Sequence, residues 1–264
     1  MPNVYLGDLM DLGLDGKVVF VTGASGGIGA ELLRAFLAEG ARVVAHSRRG
    51  VEEHDRVLSI RGDVTDPEGL ERAFTEAAAV FGRVDACVAN AGIWPPEAVP
   101  LHEQPVSRLR EVVDTNLLGS AFTARAFVGA LEKAGPRPDG EGASLVFIGS
   151  TAGRFGEPSH AEYAMTKAAL RGLTLSLKNE IVRVDPAGRV NLVEPGWTVT
   201  PMAEEELRKG DLLDRVTKTM PLRRVASPAD VASAVLFFAS PVMARHVSGE
   251  VLTVAGGMEG RVLW

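Results

Sequence analysis

The sequence has little of what marks disulfide-rich, metal-binding or membrane-spanning proteins. Its single cysteine, Cys87, excludes an internal disulfide and falls in a strand pattern, which favours a small core residue. The five histidines show no metal-ligand spacing, so no metal site is expected and each histidine is interpreted as a surface or loop residue. Neither a basic leader nor an apolar run of about 18 residues occurs. These absences predict a soluble, cytoplasmic protein without a membrane role.

Runs of basic residues are also missing. The 28 lysines and arginines are outnumbered by 34 acidic residues, for a net charge of −6. No basic stretch is long enough to follow a phosphate backbone, so nucleic acid is not an expected partner.

What the chain does contain is a regular alternation of strand and helix patterns. This alternation predicts a single α/β domain over residues 1–264, with a doubly wound parallel sheet of about seven strands of the Rossmann type. Residues 1–15 form an N-terminal extension, and the proline- and glycine-rich segment 133–143 is interpreted as a surface loop away from the functional end of the sheet. Strands are predicted near residues 18–22, 42–46, 57–61, 86–89, 144–148, 190–193 and 250–254.

A glycine-rich turn follows the first of these strands. Gly23, Gly27 and Gly29 lie between a β-branched run and an amphipathic helix pattern, which predicts strand, tight turn and helix. Backbone without side chains can approach a pyrophosphate closely, and the free N–H groups of the helix start bind negative charge. The alternative is a flexible turn without a ligand.

A tyrosine and a lysine stand four positions apart in a helix pattern. Tyr163 and Lys167 therefore share one helix face. A tyrosine has a pKa of about 10, and a neighbouring cation lowers that pKa toward the range of a general acid/base. The alternative is a surface helix with a solvated lysine.

With these two motifs, the sequence resembles the short-chain dehydrogenase/reductase family over nearly its whole length. Further family motifs follow in order, each after a predicted strand or in a helix: Asp63-Val64, Asn90-Ala91-Gly92, Asn116, Ser150 and Pro195-Gly196. The resemblance implies an oxidoreductase that transfers a hydride between a nicotinamide cofactor and a small carbonyl or alcohol substrate.

The resemblance also implies four catalytic residues. Tyr163 is expected to donate or accept the proton, while Lys167 lowers the tyrosine pKa and binds the nicotinamide ribose. Ser150 is expected to donate a hydrogen bond to the substrate oxygen, and Asn116 to hold a water that links Lys167 to solvent. Taken singly, Ser150 could be a helix cap and Asn116 a helix amide bonded to backbone.

The end of the second strand points to the choice of cofactor. Ser47, Arg48 and Arg49 stand where a carboxylate would bind a free ribose, and they suit a 2′-phosphate, so NADP(H) is predicted over NAD(H). The alternative is two solvated arginines. The segment 47–63 is short, which predicts that the family's helix between the second and third strands is trimmed. The full set of expected cofactor-binding residues is Gly23, Ser25, Gly27, Ile28, Gly29, Ser47, Arg48, Arg49, Asp63, Val64, Asn90, Ala91, Gly92, Tyr163, Lys167, Pro195, Gly196, Thr198 and Thr200.

Substrate contacts are expected on the loops after the strands. Two tryptophans among them favour an apolar or ring-shaped substrate. Residues 197–220 are interpreted as a lid, and the charged run 203–210 is either the exposed face of this lid or a plain surface helix. Glu194 fits no family role and is expected in a surface or interface contact. The expected substrate-binding residues are Trp94, Ser150, Ala152, Tyr163, Trp197 and Met202.

Three functions remain open at this point. The first is NADP(H)-dependent interconversion of a ketone and a secondary alcohol. The second is 3-oxoacyl carrier-protein reduction, against which an acidic lid argues because the carrier protein is acidic. The third is a noncatalytic NADP(H) sensor or scaffold.

The resemblance also implies a homodimer or homotetramer. The elements expected to pair the subunits are the helices within 109–131 and 161–184 and residues 250–258. Residues 261–264 either complete that interface, cover a neighbour's pocket or form a frayed end.

Overall fold

A computed structural model describes residues 11–208 and 211–261, without the side chains of Glu205 and Glu206. The first ten residues of the expected N-terminal extension, two residues of the expected lid and the last three residues of the chain lie outside the described residues.

The centre of the fold is a seven-stranded parallel sheet with the strand order β3-β2-β1-β4-β5-β6-β7. All seven predicted strands are confirmed, and β6 is longer at both ends than predicted. Their bounds are β1 Val18–Thr22, β2 Arg42–Ser47, β3 Val57–Arg61, β4 Ala86–Ala89, β5 Ser144–Ile148, β6 Arg189–Pro195 and β7 Val251–Val254.

Nine α-helices connect and cover the strands in the part of the chain that the structure describes. None of the described helices has the length and apolar content needed to cross a membrane. Their bounds are α1 Gly27–Ala38, α2 Pro67–Phe81, α3 Val106–Val112, α4 Gly119–Ala134, α5 Ala152–Phe155, α6 Ala161–Glu180, α7 Pro201–Leu207, α8 Leu212–Thr217 and α9 Pro228–Ala239; a π-helical segment, Val113–Leu118, joins α3 to α4.

Local sequence sets several helix starts. Asp66 caps α2 by accepting a hydrogen bond from the Gly69 N–H at 2.9 Å, and Pro67 occupies the first turn, where its missing N–H costs nothing. Ser227 and Asp230 form a capping box at the start of α9. These caps fix where two of the covering helices leave their loops.

Helices pack on both faces of the sheet and bury β1, β4, β5 and β6 completely, while the edge strands β3 and β7 stay partly exposed. In β1, Val19 and Val21 face a core shared with α1 and α9, while Val18 and Phe20 face a second core shared with α2, α4 and α6. Because both faces are buried, the strands read as continuous apolar runs. The result is the predicted single-domain, doubly wound α/β fold.

The connection between β2 and β3 has no helix, as predicted. Its residues form a loop with one isolated bridge, between His54 and Val57. The interpretation of all histidines as surface or loop residues is wrong for His46. This residue lies in β2, is 1% exposed and stacks on Phe20 at 5.8 Å, because its strand is covered on both faces.

The segment 133–143 lies at the amino ends of the strands, away from their carboxyl ends. Arg137 Nη1 donates to Asp85 Oδ1 at 2.8 Å just before β4, and Arg83 Nη2 donates to Asp185 Oδ2 at 3.1 Å. This ionic cluster holds the loop against the sheet.

The expected surface or interface role of Glu194 is wrong. Its side chain is 0% exposed and faces α6, where Arg171 Nε and Nη2 each donate to one carboxylate oxygen at 3.0 Å. The bidentate pair joins β6 to the middle of α6.

Replacing Arg171 with methionine is expected to destabilise the fold by about 2 to 3 kcal/mol, because the buried Glu194 carboxylate loses its partner. Urea unfolding followed by circular dichroism measures the change. The matched control is Arg125→Met, which breaks an exposed ion pair with Glu71 and is expected to cost under about 1 kcal/mol. Adding Glu194→Met to Arg171→Met is expected to restore most of the loss; equal losses in both arginine variants would contradict this role.

Candidate active site

The carboxyl ends of the central strands open into one cavity of about 930 Å³. It lies where the connections from β1 and β4 diverge to opposite sides, the point at which doubly wound sheets bind ligands. Every cofactor- and substrate-binding residue expected from the sequence lines this cavity, as do Ser150, Tyr163 and Lys167. Asn116 does not line it.

The glycine-rich turn after β1 forms one wall. Helix α1 begins after Gly26, which gives no side-chain cap, so the first N–H groups of the helix remain available to an anion. A Cβ added at Gly29 would lie 2.1 Å from the Gly23 carbonyl oxygen, so only glycine permits this close turn. The turn therefore has the shape and polarity that fit a cofactor pyrophosphate.

The end of β2 forms the adjoining wall. The Ser47 hydroxyl accepts a hydrogen bond from the Gly50 N–H at 3.1 Å, which leaves its own proton free to be donated. Arg49 Nη2 donates to the Ser25 carbonyl at 3.2 Å, while the Arg48 side chain is exposed. A hydroxyl and two guanidinium groups thus surround this end of the cavity.

Asp63 lies beside these groups after β3. Hydrogen bonds from Thr65 lower the pKa of its carboxyl, and the charge of Arg48 lowers it further against the effect of burial. Its Oδ1 accepts from both the Thr65 N–H and hydroxyl, at 3.0 and 2.9 Å. The carboxylate is therefore ionised and fixed in orientation.

His46 also lines the cavity, and the sequence analysis missed it. Burial lowers its pKa, so the imidazole is neutral at pH 7, and its Nδ1 has no hydrogen-bond partner among the described residues. No local sequence pattern marks His46, because its burial depends on the helices that cover both faces of β2.

Helix α6 carries Tyr163 and Lys167 on one face, as the spacing predicted. Lys167 Nζ lies 5.7 Å from the centre of the Tyr163 ring and donates to the Ile148 carbonyl of β5 at 2.9 Å. Burial lowers the pKa of Lys167 to about 8.

The expected lowering of the Tyr163 pKa is not found in the polypeptide itself. Burial raises the pKa of Tyr163 to about 12, a hydrogen bond with Ser150 opposes the rise, and the negative charge of Glu157 adds to it. The reason is that burial disfavours the phenolate by more than the polypeptide's own favourable groups stabilise it.

Ser150 stands directly beyond β5, between this tyrosine and a short helix. Its Oγ accepts a hydrogen bond from the Ala152 N–H at 3.1 Å at the start of α5. Thr151, and not Ser150, is the N-cap residue of α5, so Ser150 supports this turn from outside the helix while it contacts Tyr163.

Asn116 lies in the π-helical segment and is completely buried. Its Oδ1 accepts from the Ile93 N–H at 2.7 Å, and its Nδ2 donates to the Ile93 carbonyl at 2.8 Å. These contacts match the alternative interpretation of Asn116, in which its amide is bonded to backbone. They fix the loop after β4, next to Gly92.

Aromatic side chains dominate the opposite end of the cavity. Trp94 and Trp197 meet edge to face with ring centres 6.0 Å apart, and Ala152 and Met202 line the same end. The lining residues that were not individually predicted include Phe155, Glu157 and Met258. The first two lie just after β5, where substrate contacts were expected, whereas no local pattern indicates that the chain after β7 returns to the cavity.

An ion pair supports the start of α6. Arg108 Nε and Nη2 donate to Glu162 Oε1 at 2.9 and 2.6 Å, and Gln104 Nε2 donates to Glu162 Oε2 at 2.6 Å. Glu162 precedes Tyr163, so these contacts fix the helix turn that carries the tyrosine.

Comparisons with known proteins agree with this architecture. A family model described as enoyl-(acyl carrier protein) reductase matches residues 23–259. The acetoacetyl-CoA reductase of Synechocystis sp. is 34% identical over 250 residues, which cover 94% of this chain and 98% of that protein. The cis-4-hydroxycyclohexanecarboxylate dehydrogenase of Sinomonas cyclohexanicum is 34% identical over 253 residues, covering 91% and 96%.

A solved structure is similar over almost the whole chain. The crystal structure of a short-chain dehydrogenase/reductase, described as glucose/ribitol dehydrogenase, from Brucella melitensis matches with a TM-score of 0.84 and 29% identity, and covers 95% of this chain and 99% of that one. The names of these proteins all denote reductases or dehydrogenases, but of different substrates.

Lys167→Met is expected to raise the stability of the ligand-free protein by about 2 kcal/mol at pH 7, because it removes a buried group whose charged form is disfavoured. The pKa of Lys167 is lowered from 10.5 to about 8, so between these values the unfolded chain binds more protons than the folded one. Wild-type stability therefore rises with pH across this window, and the gain of the variant shrinks as the pH approaches 10.

Urea unfolding at pH 7 and at about pH 9.5 measures this pH dependence. Lys133→Met, which removes an exposed lysine at the end of α4, serves as the charge control and is expected to give no such gain. A Lys167→Met variant that is less stable than the wild type at pH 7 would contradict the prediction.

Proposed function

The chain belongs to the short-chain dehydrogenase/reductase family, and from that premise we propose that it interconverts a ketone and a secondary alcohol with NADP(H), using Tyr163 as general acid/base. One observation carries the proposal. Tyr163, Ser150 and Lys167 meet at the same cavity whose far end holds the glycine-rich turn and a cationic pair. Family membership alone leaves the reaction open, since the matched model's description names an enoyl reductase.

The catalytic roles follow from the donors and charges of these side chains. When bound, NADP(H) supplies or accepts the hydride. During reduction, the Ser150 hydroxyl donates a hydrogen bond to the substrate oxygen as negative charge develops there, and Tyr163 donates its proton to that oxygen. Oxidation reverses these transfers.

Lys167 provides the charge that a phenolate at Tyr163 requires. Its ammonium lies over the tyrosine ring, and its pKa of about 8 leaves most of it protonated at pH 7. Because the polypeptide holds the Tyr163 pKa near 12, lowering it to the working range needs this cation together with the positive charge of the oxidised nicotinamide. The same ammonium would bind the nicotinamide ribose.

Asn116 is proposed to act through a water molecule. A Cβ added at Gly92 would lie 3.2 Å from Asn116 Oδ1 and 3.3 Å from Lys167 Nζ. The absence of that atom leaves room between the two polar groups, as a bridging water requires. Such a water would return a proton to Lys167 and thus to the tyrosine.

The preference for NADP(H) rests on the end of β2. Arg48 and Arg49 line the cavity with the Ser47 hydroxyl, and the only acidic side chain lining that end, among the described residues, is Asp63 after β3. Two guanidinium groups favour a 2′-phosphate, whereas a free ribose diol would favour a carboxylate.

We further propose that residues 197–220 cover the substrate and that the protein works in the cytoplasm as a homodimer or homotetramer. Helices α7 and α8 lie within residues 197–220, and Met202, which lines the cavity, is half exposed. Exposed apolar side chains on the outer face of α6, Met165 and Leu175, support assembly.

Replacing Arg48 or Arg49 with alanine is expected to weaken NADPH binding about 10- to 100-fold and to leave NADH binding nearly unchanged, because only NADPH carries the phosphate. Fluorescence titration of each cofactor measures both affinities, with Arg110→Ala as a control that removes an exposed arginine from α3. If the wild type binds NADH more tightly than NADPH, the assignment of the phosphate pocket is wrong.

Tyr163→Phe is expected to lower turnover by about 100-fold or more while cofactor binding survives, since only the proton donor is lost. The assay follows nicotinamide absorbance with cyclohexanone, acetoacetyl-CoA and an aldose as substrates. Turnover by the wild type alone supports the enzyme and identifies the substrate class. Cofactor binding without turnover of any substrate by the wild type would instead support the noncatalytic sensor.

A further inference from the structure

One charged group at the substrate end of the cavity has no part in the proposed mechanism. Among the described residues that line the cavity, only Asp63 and Glu157 are acidic, and Asp63 belongs to the adenine end. Glu157 follows α5 and lies on the wall beside Trp94 and Tyr163. Its carboxylate therefore contributes negative charge where the substrate must bind.

The surrounding side chains hold Glu157 in one orientation. Trp94 Nε1 donates to Glu157 Oε1 at 3.1 Å. His160 stacks on the Trp94 ring, with centres 4.8 Å apart and planes within 17°, and its Nε2 lies 3.0 Å from the Pro95 carbonyl oxygen. A carboxylate fixed in this way needs no rearrangement to meet a ligand.

The second carboxylate oxygen is available to a ligand. No described residue donates a hydrogen bond to Glu157 Oε2, and the side chain retains 21% of its exposure. Burial raises the pKa of Glu157 against the opposing charge of His160 and the Trp94 hydrogen bond, and the negative charge of Glu162 adds to the rise. A donor from a substrate would relieve this unfavourable burial.

Among the described residues that line the cavity, no lysine or arginine lies at this end to receive an anionic substrate. The cationic residues that line the described cavity are Arg48, Arg49 and Lys167, of which the two arginines lie at the cofactor end and the lysine lies beneath Tyr163. Arg154, close to Glu157 in the sequence, instead donates to Thr253 Oγ1 at 3.2 Å and lies over the Phe155 ring.

Aromatic rings shape the remaining wall. Trp94 and Trp197 offer an apolar corner that fits the C–H surface of a ring, while the carboxylate stands at its edge. An apolar corner with one fixed acceptor matches a cyclic compound that carries a hydroxyl group away from its reacting carbon.

We propose that Glu157 makes the enzyme select neutral cyclic substrates that carry a hydroxyl group away from the reacting carbon, and reject substrates that carry a carboxylate there. This inference rests on the proposed carbonyl/alcohol activity. A hydroxyl donates to Glu157 Oε2 in a charge-assisted hydrogen bond, whereas a second carboxylate meets like charge with no cation beside it. The difference is expected to reach about 10- to 100-fold in kcat/KM.

Two ketones that share one ring test the proposal: 4-hydroxycyclohexanone and 4-oxocyclohexanecarboxylate. Their NADPH-dependent reduction is measured at about pH 8, which favours the ionised carboxylate, with cyclohexanone as the substrate that lacks a remote polar group. Glu157→Gln keeps an oxygen acceptor for Trp94 Nε1, removes the charge and places an amide NH2 donor where Oε2 stood. Glu97→Gln, an exposed carboxylate on the loop after β4, is the matched control.

We expect the wild type and Glu97→Gln to prefer the hydroxy ketone by about tenfold or more, and Glu157→Gln to lose most of that preference. A wild type that prefers the carboxylate, or a preference that Glu157→Gln leaves unchanged while cyclohexanone is still reduced, would overturn the inference and leave the proposed function intact.

The failure of the proposed function has a different signature. If the wild type does not reduce any of the three ketones, the carbonyl reductase assignment fails. Calorimetric titration of both ring ketones into protein saturated with NADP⁺ then decides the role of Glu157 by binding alone. Equal dissociation constants for the two ketones in the wild type would overturn it.

Discussion

The hydrogen bond from Lys167 Nζ to the Ile148 carbonyl links the two elements on which the candidate active site depends. Ile148 ends β5, and Ser150 follows two residues later. Lys167 lies one helical turn after Tyr163 on α6. One buried contact between a side chain and a strand end therefore sets the distance between the serine hydroxyl and the tyrosine. The same contact satisfies a carbonyl that the end of the strand leaves open.

Two ion pairs hold α6 against this reference point. Arg108 and Gln104 fix its first turn through Glu162, and Glu194 of β6 fixes its middle through Arg171. Buried charges add little net stability, because their desolvation offsets most of their attraction. They do penalise every arrangement in which a partner is missing, so they specify where the helix lies along the sheet. A helix that must hold Tyr163 and Lys167 beside Ser150 needs that restriction more than it needs additional stability.

The sequence predicted the sheet well because its strands are covered on both faces and read as uninterrupted apolar runs. It also predicted which residues surround the cavity, since glycines and polar residues stand just beyond the strands' carboxyl ends. What it missed depends on contacts between distant segments. Neither the burial of His46 and Glu194 nor the return of Met258 to the cavity has a local signature. The raised pKa of Tyr163 in the cofactor-free polypeptide has a related cause, because spacing identifies the neighbouring lysine but not how completely the phenol is removed from water.

The π-helical segment Val113–Leu118 changes which side chains of the helical region α3–α4 face the core. A π turn contains one residue more than an α turn, so the helix after it is rotated by about 100° relative to an uninterrupted α-helix. Asn116 occupies this extra turn and reaches Ile93, while α4 beyond it still presents Ala124, Phe127 and Leu131 to the core. In an unbroken α-helix, the side chain of Asn116 could not face Ile93 while the apolar side chains of α4 faced the core. The added residue separates these two requirements, so one continuous segment can both fix the loop beside Lys167 and pack α4 against the core.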